Sequence, residues 1–300
     1  MRVGLALPQF GGVAHRPEGV ARFAGQAEDL GADSLWVGDR LLAPVSPTVG
    51  YGMRGPGPFP VQFRSVLDPF ALLTVAATVT ERVRLGTNVI NATWYPPALL
   101  ARSLTAIDVI SGGRLVAGLG VGWSPDEYQA VGVPWPGRGP RLEETLDVLE
   151  ALWTTNPAEH HGPLWTIPAT HVDLTPVQRP RPPIYLAGSV PAALRRIGRR
   201  GDGWLPVSVP PAPVRPARYT EPLAAIRQAA AEAGRDPARI GAILRVYPTA
   251  EATLGDIIEH LATIERETGI QDAFVDLLYL APDMDDLLKL SADLLTMLRR

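Results

Sequence analysis

Short apolar runs alternate along the chain with longer segments in which apolar residues recur every three or four positions. This helical spacing is clearest in two places, at Leu100, Leu104 and Ile107 and at Leu142, Leu146, Leu149 and Trp153. The apolar runs predict eight strands, at Val3–Leu7, Ser34–Val37, Val83–Val89, Leu115–Leu119, Ile184–Ala187, Gly203–Leu205, Ala242–Val246 and Ala273–Leu277. Alternating strands and helices are typical of parallel sheets, and a closed barrel needs eight strands. We therefore predict an α/β fold, a single (β/α)8 TIM barrel over residues 1–300.

Two long segments interrupt the alternation. Residues 41–67, after strand 2, contain the run VSPTVGYGMRGPGPFP, and residues 155–183, before strand 5, are rich in proline and histidine. Loops of this length in a compact domain are usually functional or mobile. The first would lie at the carboxyl ends of the barrel strands, where barrel active sites are built. We expect a lid loop (residues 41–67) over the active site and a further insertion at 155–183.

The composition excludes several classes of function. A formal net charge of −3 does not supply the basic field that nucleic-acid binding uses. No cysteine is present, so disulfides, thiolate nucleophiles and iron–sulfur ligation are excluded. Pro8 and Gly11 interrupt the first apolar run, and no run reaches the ~18 residues of a membrane span. We expect a cytoplasmic protein with no membrane or nucleic-acid partner. The abundant arginine, proline and glycine, against the single lysine Lys289, suggest a GC-rich genome such as that of an actinobacterium.

Asp39 and Arg40 end the second predicted strand, where a barrel places its chemistry. An aspartate there can accept a hydrogen bond from a ring N–H or a hydroxyl group of a cofactor. The structural alternative is an ion pair between Asp39 and Arg40.

The run GLGVG at residues 118–122 ends the fourth predicted strand. Its spacing differs from the G-x-G-x-x-G of dinucleotide-binding folds, which argues against that function. The glycines fit either the close approach of a flat ring or a tight turn before the next helix. Ser124 and Glu127 match a capping box, which gives Glu127 a structural explanation, whereas Asp126 is freer to meet a ligand.

Ala187, Gly188 and Ser189 close the fifth predicted strand just before a helix. Backbone N–H groups and the positive helix terminus there suit a phosphate. The helix carries four arginines at i,i+4 spacing, which we call the arginine face: Arg195, Arg196, Arg199 and Arg200. Like charges so placed repel unless an anion lies over them; a solvated face is the alternative.

The five histidines show no metal-binding spacing, so we expect no metal site. No G-x-S-x-G elbow surrounds Ser111 or Ser189, which excludes the α/β-hydrolase pattern. These residues predict a barrel with a phosphate site and a glycine-lined strand end, and they leave the reaction unnamed.

The run from Leu85 to Trp135, LGTNVINATWYPP and onward to GLGVGWSPDEYQAVGVPW, resembles the luciferase-like monooxygenase superfamily, and more closely its coenzyme F420-dependent oxidoreductases. VGLALPQF, GADSLWVGDR, RLEETLDVLEALW and PRPPIYLAGSVPAALRRIGRRGDGWLP follow the family order. The resemblance covers essentially the whole chain. Its motifs are specific for the superfamily and only moderately specific for F420 over FMN.

The resemblance implies a barrel with a non-prolyl cis peptide after strand three, here between Asn88 and Val89. It also implies that the following residues bind the cofactor: Asp39, Asn88, Val89, Asn91, Gly122, Trp123, Asp126, Ala187, Gly188 and Ser189. F420 carries a phospholactyl-oligoglutamate tail that FMN lacks. The arginine face, Arg195 and Arg199 above all, would suit that tail, and this is our main reason for preferring F420.

Two departures from the family pattern bear on the reaction. Relatives that oxidise alcohols often carry a basic histidine where this chain has Arg40, which cannot take a proton near neutral pH. Sugar-oxidising relatives show a carboxylate where this chain has Trp123. We therefore expect reduced F420 to deliver hydride from its C5 to an electron-poor C=C or C=N bond, with Asp39 and Arg40 as the catalytic pair.

Arg40 could hold an anionic substrate bidentately. The candidate aromatic residues of the substrate pocket are Phe10, Tyr51, Trp94, Tyr95 and Trp123.

Two alternatives stay open. One is the FMN-dependent monooxygenase of a two-component system, and the other is a non-catalytic relative that binds a cofactor or a partner only. The resemblance also implies a homodimer and a separate F420 or flavin reductase as cofactor supplier.

Overall fold

A computed structural model describes residues 1–51 and 57–299 of the chain. The strands are β1 Arg2–Ala6, β2 Ser34–Val37, β3 Arg84–Thr87, β4 Ile90–Asn91, β5 Leu115–Gly120, β6 Ala158–His161, β7 Thr166–Thr170, β8 Ile184–Leu186, β9 Gly203–Trp204, β10 Val207–Ser208, β11 Gly241–Val246 and β12 Asp272–Val275. The helices are α1 Glu18–Asp29, α2 Pro69–Val79, α3 Pro97–Ile110, α4 Pro125–Ala130, α5 Arg138–Thr154, α6 Pro191–Arg200, α7 Ala217–Glu232, α8 Leu254–Thr268 and α9 Met284–Leu298.

The strands other than β6 and β7 form a closed parallel barrel with eight positions. The order runs β11, β12, β1, β2, β3, β5, β8 and β9, and β9 pairs back to β11. The short strands β4 and β10 extend the third and sixth positions toward the carboxyl end. The fold is the predicted (β/α)8 barrel, and each predicted strand lies within two residues of the observed bounds.

A packed layer of large side chains fills the barrel interior. Trp36 and Phe274 stack with ring centroids 4.7 Å apart, and Val116, Leu205 and Ile243 complete the layer. A Cβ atom on Gly86 would lie 2.3 Å from the Trp36 ring, so this position on β3 has to be glycine. Because the interior is filled, a ligand has to bind at a mouth of the barrel.

The ends of the helices follow local sequence signals, with one exception. Asp68 accepts a hydrogen bond of 2.8 Å from the backbone N–H of Ala71, and Pro69 occupies the first turn of α2. The predicted capping box at α4 is wrong. The side chain of Ser124 makes no capping hydrogen bond, because Glu127 has other partners.

Residues 155–183 contain the antiparallel hairpin of β6 and β7. The carboxylate of Glu144 on α5 accepts hydrogen bonds from the backbone N–H groups of Leu164 and Trp165 at the turn. The predicted lid loop (residues 41–67) is largely irregular and includes a 3-10 turn at Val61–Arg64. Its residues 52–56 lie outside the described part of the chain. No described helix is long and apolar enough to cross a membrane.

Candidate active site

A pocket of about 170 Å³ opens at the carboxyl-terminal mouth of the barrel. We call it the mouth pocket. It is lined by Phe10, Gly38, Asp39, Arg40, Tyr51, Phe63, Asn88, Val89, Asn91, Trp123, Ala187, Leu205, Val207 and Arg245. Its position is the one at which barrels carry their chemistry.

Asp39 follows β2 and lies in the wall of the mouth pocket. Its carboxylate accepts a hydrogen bond of 2.9 Å from the backbone N–H of Asn91 and a longer one of 3.2 Å from the hydroxyl of Tyr95. Burial is the dominant influence and raises the pKa of Asp39 to about 7, although both hydrogen bonds act against it. At neutral pH this carboxyl is therefore protonated in a large fraction of molecules.

Arg40 does not pair with Asp39. Its Nη2 donates to Oε2 of Glu127 at 2.5 Å, and both side chains are buried. The other carboxylate oxygen of Glu127 accepts from the backbone N–H of Leu41 at 2.8 Å. Burial raises the pKa of Glu127, and Arg40 opposes that effect. Glu127 therefore fixes the first residues of the lid loop (residues 41–67) instead of capping α4.

These contacts correct the predicted role of Arg40. The guanidinium lies 4.5 Å from the centroid of the Trp123 ring and also faces Phe59 and Phe63. Its charge is balanced by Glu127. Arg40 lines the pocket as predicted, but it does not present the uncompensated cation that an anionic substrate would need.

Aromatic side chains from the lid loop cover the mouth pocket. Phe59 and Tyr51 contact Trp123, with ring centroids 5.1 and 5.6 Å apart. Phe63 contacts Phe10 at 5.5 Å. The backbone of Phe10 also bridges to Val66 at the far end of the loop. Three of the predicted substrate residues, Phe10, Tyr51 and Trp123, thus lie together at the pocket.

Asn88 and Val89 form the inner wall, and the peptide bond between them is cis, as the family resemblance implied. Asn88 is 8% exposed. Its side-chain N–H₂ group has no hydrogen-bond partner among the described residues. Two glycines of the GLGVG run serve the backbone. Within β5, a Cβ atom on Gly118 would collide with the carbonyl oxygen of Thr87, and after β5, Gly122 has a φ of +68° in the turn before α4. Gly122 therefore fits the tight-turn alternative.

Eight predicted site residues are not among the lining residues of the mouth pocket: Trp94, Tyr95, Gly122, Asp126, Gly188, Ser189, Arg195 and Arg199. Trp94 is buried against Tyr128, with ring centroids 6.1 Å apart, and its contact with a substrate stays a prediction. Tyr95 reaches the site only through its hydrogen bond to Asp39. The carboxylate of Asp126 bonds the backbone N–H and hydroxyl of Thr48, so it anchors the lid loop (residues 41–67) and is not free for a cofactor.

The predicted phosphate turn lies beside the pocket. Ala187 lines the pocket, whereas Ser189 is exposed just before α6. A Cβ atom on Gly188 would lie 2.4 Å from that of Ala193, so the turn packs closely on the helix.

The arginine face (Arg195, Arg196, Arg199 and Arg200) divides into two pairs. Arg196 bonds Glu143 at 2.7 Å and Arg200 bonds Asp147 at 2.7 Å, both on α5. These two contacts contradict the prediction of four arginines that await one anion. Arg195 and Arg199 are exposed, and the structure gives neither an acidic partner among the described residues.

Sequence reasoning missed Arg245, which lies on β11 and lines the mouth pocket. Its Nη2 bonds the carboxylate of Asp276 at 2.5 Å. A signal for it was present, because an arginine inside the apolar run AILRVY needs a special reason to be there. Among the described residues, no group of three or more histidine or acidic side chains could hold a metal ion.

The sequence model of the luciferase-like monooxygenase family matches residues 1–277. The chain belongs to this family. The match covers every strand of the barrel and the residues around the mouth pocket.

A curated family relative from Mycobacterium tuberculosis carries a more specific name. The phthiodiolone/phenolphthiodiolone dimycocerosates ketoreductase is 34% identical over 216 residues, which are 70% of this chain and 55% of the relative. The chain thus spans about half the length of that relative.

Two solved structures show the same fold. The monooxygenase RslO1 from Streptomyces bottropensis has a TM-score of 0.78 at 20% identity, covering 99% of this chain and 97% of its own. An F420-dependent secondary alcohol dehydrogenase, solved with an F420–acetone adduct, has a TM-score of 0.77 at 16% identity, covering 100% and 99%. At such identities the likeness concerns the barrel alone. Proteins of this shape therefore include both an F420-dependent enzyme and a monooxygenase.

Proposed function

We propose that this chain is an F420-dependent oxidoreductase in which hydride passes from reduced F420 to an electron-poor double bond of a small substrate. The observation that supports this most directly is Asp39, a carboxyl in the wall of the mouth pocket with a pKa of about 7. A reduction needs a proton as well as a hydride, and such a group holds a proton at neutral pH. The names of the mycobacterial ketoreductase and the F420-dependent dehydrogenase add C=O bonds to the C=C and C=N bonds considered from the sequence.

The pocket residues fit a flat ring with polar edges. The aliphatic side chains in the pocket lining are those of Val89, Ala187, Leu205 and Val207. The unpartnered N–H₂ group of Asn88 offers a buried donor, which favours a ligand that brings an acceptor. Bound reduced F420 supplies the hydride; the chain orients it.

The remaining site residues exclude water and position the lid loop (residues 41–67). Arg40 and Glu127 fix its start, and the rings of Phe59, Phe63 and Trp123 close over the mouth. Excluding water strengthens each polar contact inside the pocket. The carboxyl of Asp39 and the hydroxyl of Tyr95, which are hydrogen-bonded to each other, place exchangeable protons at the pocket wall.

Arg195 and Arg199 support F420 over FMN. They are the exposed half of the arginine face, on the helix that follows Ser189. A tail of glutamates would supply carboxylates to both. Arg196 and Arg200, which already pair with α5, are left out of this contact.

A two-component FMN-dependent monooxygenase is the second candidate. The likeness to RslO1, named a monooxygenase, favours it. In either case a separate reductase would supply the reduced cofactor.

The test is an anaerobic assay with reduced F420 and a panel of ketones, imines and unsaturated acids. We expect the absorbance of oxidised F420 to return only when protein and an accepted substrate are both present. An Asp39→Asn variant should slow this return about 10²-fold, the usual contribution of a positioned acid. Oxygen-dependent turnover with reduced FMN, together with inactivity toward F420, would replace the proposal by the monooxygenase.

A further inference from the structure

The ends of β11 and β12 carry a buried ion pair that the proposed function does not use. Arg245 and Asp276 meet at 2.5 Å, with side chains that are 19% and 9% exposed. The second oxygen of Asp276 accepts a hydrogen bond of 3.2 Å from the backbone N–H of Leu278. Removing two charges from water costs several kcal/mol per ion, and a buried pair contributes little stability in return. A pair at the carboxyl end of the barrel is therefore a candidate for binding.

Arg245 faces two cavities at once. It lines the mouth pocket, and it also lines a narrower rear chamber bounded by Gln9, Trp36 and Phe274. Phe10, Gly38 and Asn88 are shared by both cavities as well. A substrate that entered past the lid loop (residues 41–67) would therefore meet Arg245 at the junction.

The guanidinium of Arg245 is held in place, and one of its N–H groups has no hydrogen-bond partner among the described residues. Its Cζ atom lies 4.4 Å from the centroid of the Tyr247 ring, which is buried. Its Nε atom is buried and has no hydrogen-bond partner within residues 1–51 and 57–299. The side-chain N–H₂ of Asn88, at the same junction, is in the same condition. A buried donor without an acceptor is costly, so both groups call for a ligand oxygen.

The charges at the site favour an uncharged ligand. Arg245 is balanced by Asp276, and Arg40 is balanced by Glu127. Asp39, the other titratable carboxyl of the mouth pocket, adds either no charge or a negative one. A carboxylate substrate would find no uncompensated cation among the described lining residues, whereas a carbonyl oxygen needs only donors.

We propose that Arg245 binds the oxygen of a neutral carbonyl substrate at this junction, with Asp276 and Tyr247 as its positioning residues. This proposal rests on the proposed function only for the reduction of the substrate after it has bound. Binding of a carbonyl compound can be measured without turnover. The same contact would draw electron density toward the oxygen and leave the carbonyl carbon electron-poor.

The test measures the binding of paired probes, acetophenone and benzoate, together with a series of aliphatic ketones and their matched acids. Saturation-transfer difference NMR gives the dissociation constants, with and without oxidised F420. The variants are Arg245→Lys, which keeps the charge, and Arg245→Met with Asp276→Asn, which leaves no buried unpaired carboxylate. The matched control is Arg84→Met. Arg84 pairs with Asp272 at 2.5 Å at the opposite, amino-terminal end of the barrel.

We expect ketones to bind the wild type and the Arg84→Met control alike. The double variant should bind them about tenfold to a hundredfold more weakly, the loss typical of a hydrogen bond from a charged donor. Arg245→Lys should fall between the two, because an ammonium keeps the charge but not the Nε position. Should the double variant fail to fold, Arg245→Lys carries the same comparison.

Three results would overturn the proposal: tighter wild-type binding of the acids than of the matched ketones, ketone affinity unchanged in the folded Arg245 variants, or no ketone binding in any state of the protein. If the wild type binds ketones but does not bind F420, that result counts against the proposed function alone.

Discussion

At the scale of single residues, the site depends on carboxyl groups whose surroundings set their charge. Asp39 has one short hydrogen bond, from the backbone N–H of Asn91, and burial raises its pKa to about 7. Glu127 is buried as well, but it has a guanidinium partner and backbone donors. The same residue class therefore holds a proton at one position and anchors a loop at the other.

The titration of Asp39 should be visible in stability. An unfolded aspartate has a pKa of about 3.9, so between about pH 4 and about pH 7 the folded protein holds a proton that the unfolded chain has released. The free energy of unfolding should therefore fall as the pH rises through this range. In Asp39→Asn this contribution is absent, so the variant gains stability relative to the wild type as the pH rises. Urea denaturation across the range, with Asp126→Asn as control, measures the difference; a pH-independent difference would contradict the raised pKa.

Removing one partner of the buried ion pair between Arg40 and Glu127 should cost more free energy of unfolding than removing both partners. Glu127→Gln leaves the guanidinium without its partner, and breaking a buried pair costs about 3–5 kcal/mol in free energy of unfolding. The double variant Arg40→Met with Glu127→Gln should recover much of that loss. Denaturant titration of both, beside the exposed control Glu267→Gln, tests this. Equal stability of Glu127→Gln and the wild type would show that the pair does not hold the loop.

The sequence located much of the site because barrel strand ends can be recognised from apolar runs. Asp39, Asn88, Asn91 and Trp123 were predicted in this way or from the family resemblance, and they lie together. Contacts between residues that are distant in sequence could not be predicted. Nothing local indicates that Glu127 meets Arg40 87 positions away, or that Arg245 turns into the mouth. Local patterns favoured the capping box and the Asp39–Arg40 pair, and long-range packing overrode both.

At the scale of elements, α6 and the lid loop (residues 41–67) decide what the pocket holds. The arginine face was predicted from spacing alone. Spacing could not show that α5 lies alongside with Glu143 and Asp147. Half of the face is therefore structural, and half is available to a ligand.

This division gives a matched pair of variants. Arg195→Ala with Arg199→Ala should weaken F420 binding about threefold to tenfold at low salt, because exposed charge pairs contribute up to about 1 kcal/mol each. The effect should shrink as salt is added. FMN binding should not change. Arg196→Ala with Arg200→Ala removes the same charge from the same helix and should leave F420 affinity near that of the wild type. Equal loss in both pairs would indicate only a general effect of charge.

At the scale of the whole molecule, the alternation of strands and helices fixed the barrel, and the eight strands lie where the apolar runs placed them. Assembly is a separate matter. The neighbouring helices α2 and α3 expose large apolar side chains, Val75 and Val79 on one and Leu99 and Ile110 on the other. Contiguous exposed apolar surface marks interfaces, and we propose these two helices as the contact of the homodimer that the family resemblance implies.

Charges placed on that surface should separate the subunits. Val75→Glu with Leu99→Glu should convert a dimer to a monomer, because a dimer interface would bury both carboxylates without partners. Leu174→Glu, an exposed leucine of the 155–183 insertion, is the control and should stay dimeric. Sedimentation equilibrium distinguishes the two states. A monomeric wild type, or a double variant that remains dimeric, would show that α2 and α3 do not form a dimer interface.

Above all, we propose that the mouth pocket binds F420 in preference to FMN. Trp123 lies in its wall, so a bound ring should quench tryptophan fluorescence. The measurement is a titration of the purified chain with oxidised F420 and with FMN. We predict tight quenching by F420, weak quenching by FMN, and an F420 preference reduced about threefold to tenfold at low salt in Arg195→Ala with Arg199→Ala. Tighter binding of FMN than of F420 would contradict the proposed F420 dependence and favour an FMN-dependent, oxygen-activating monooxygenase instead.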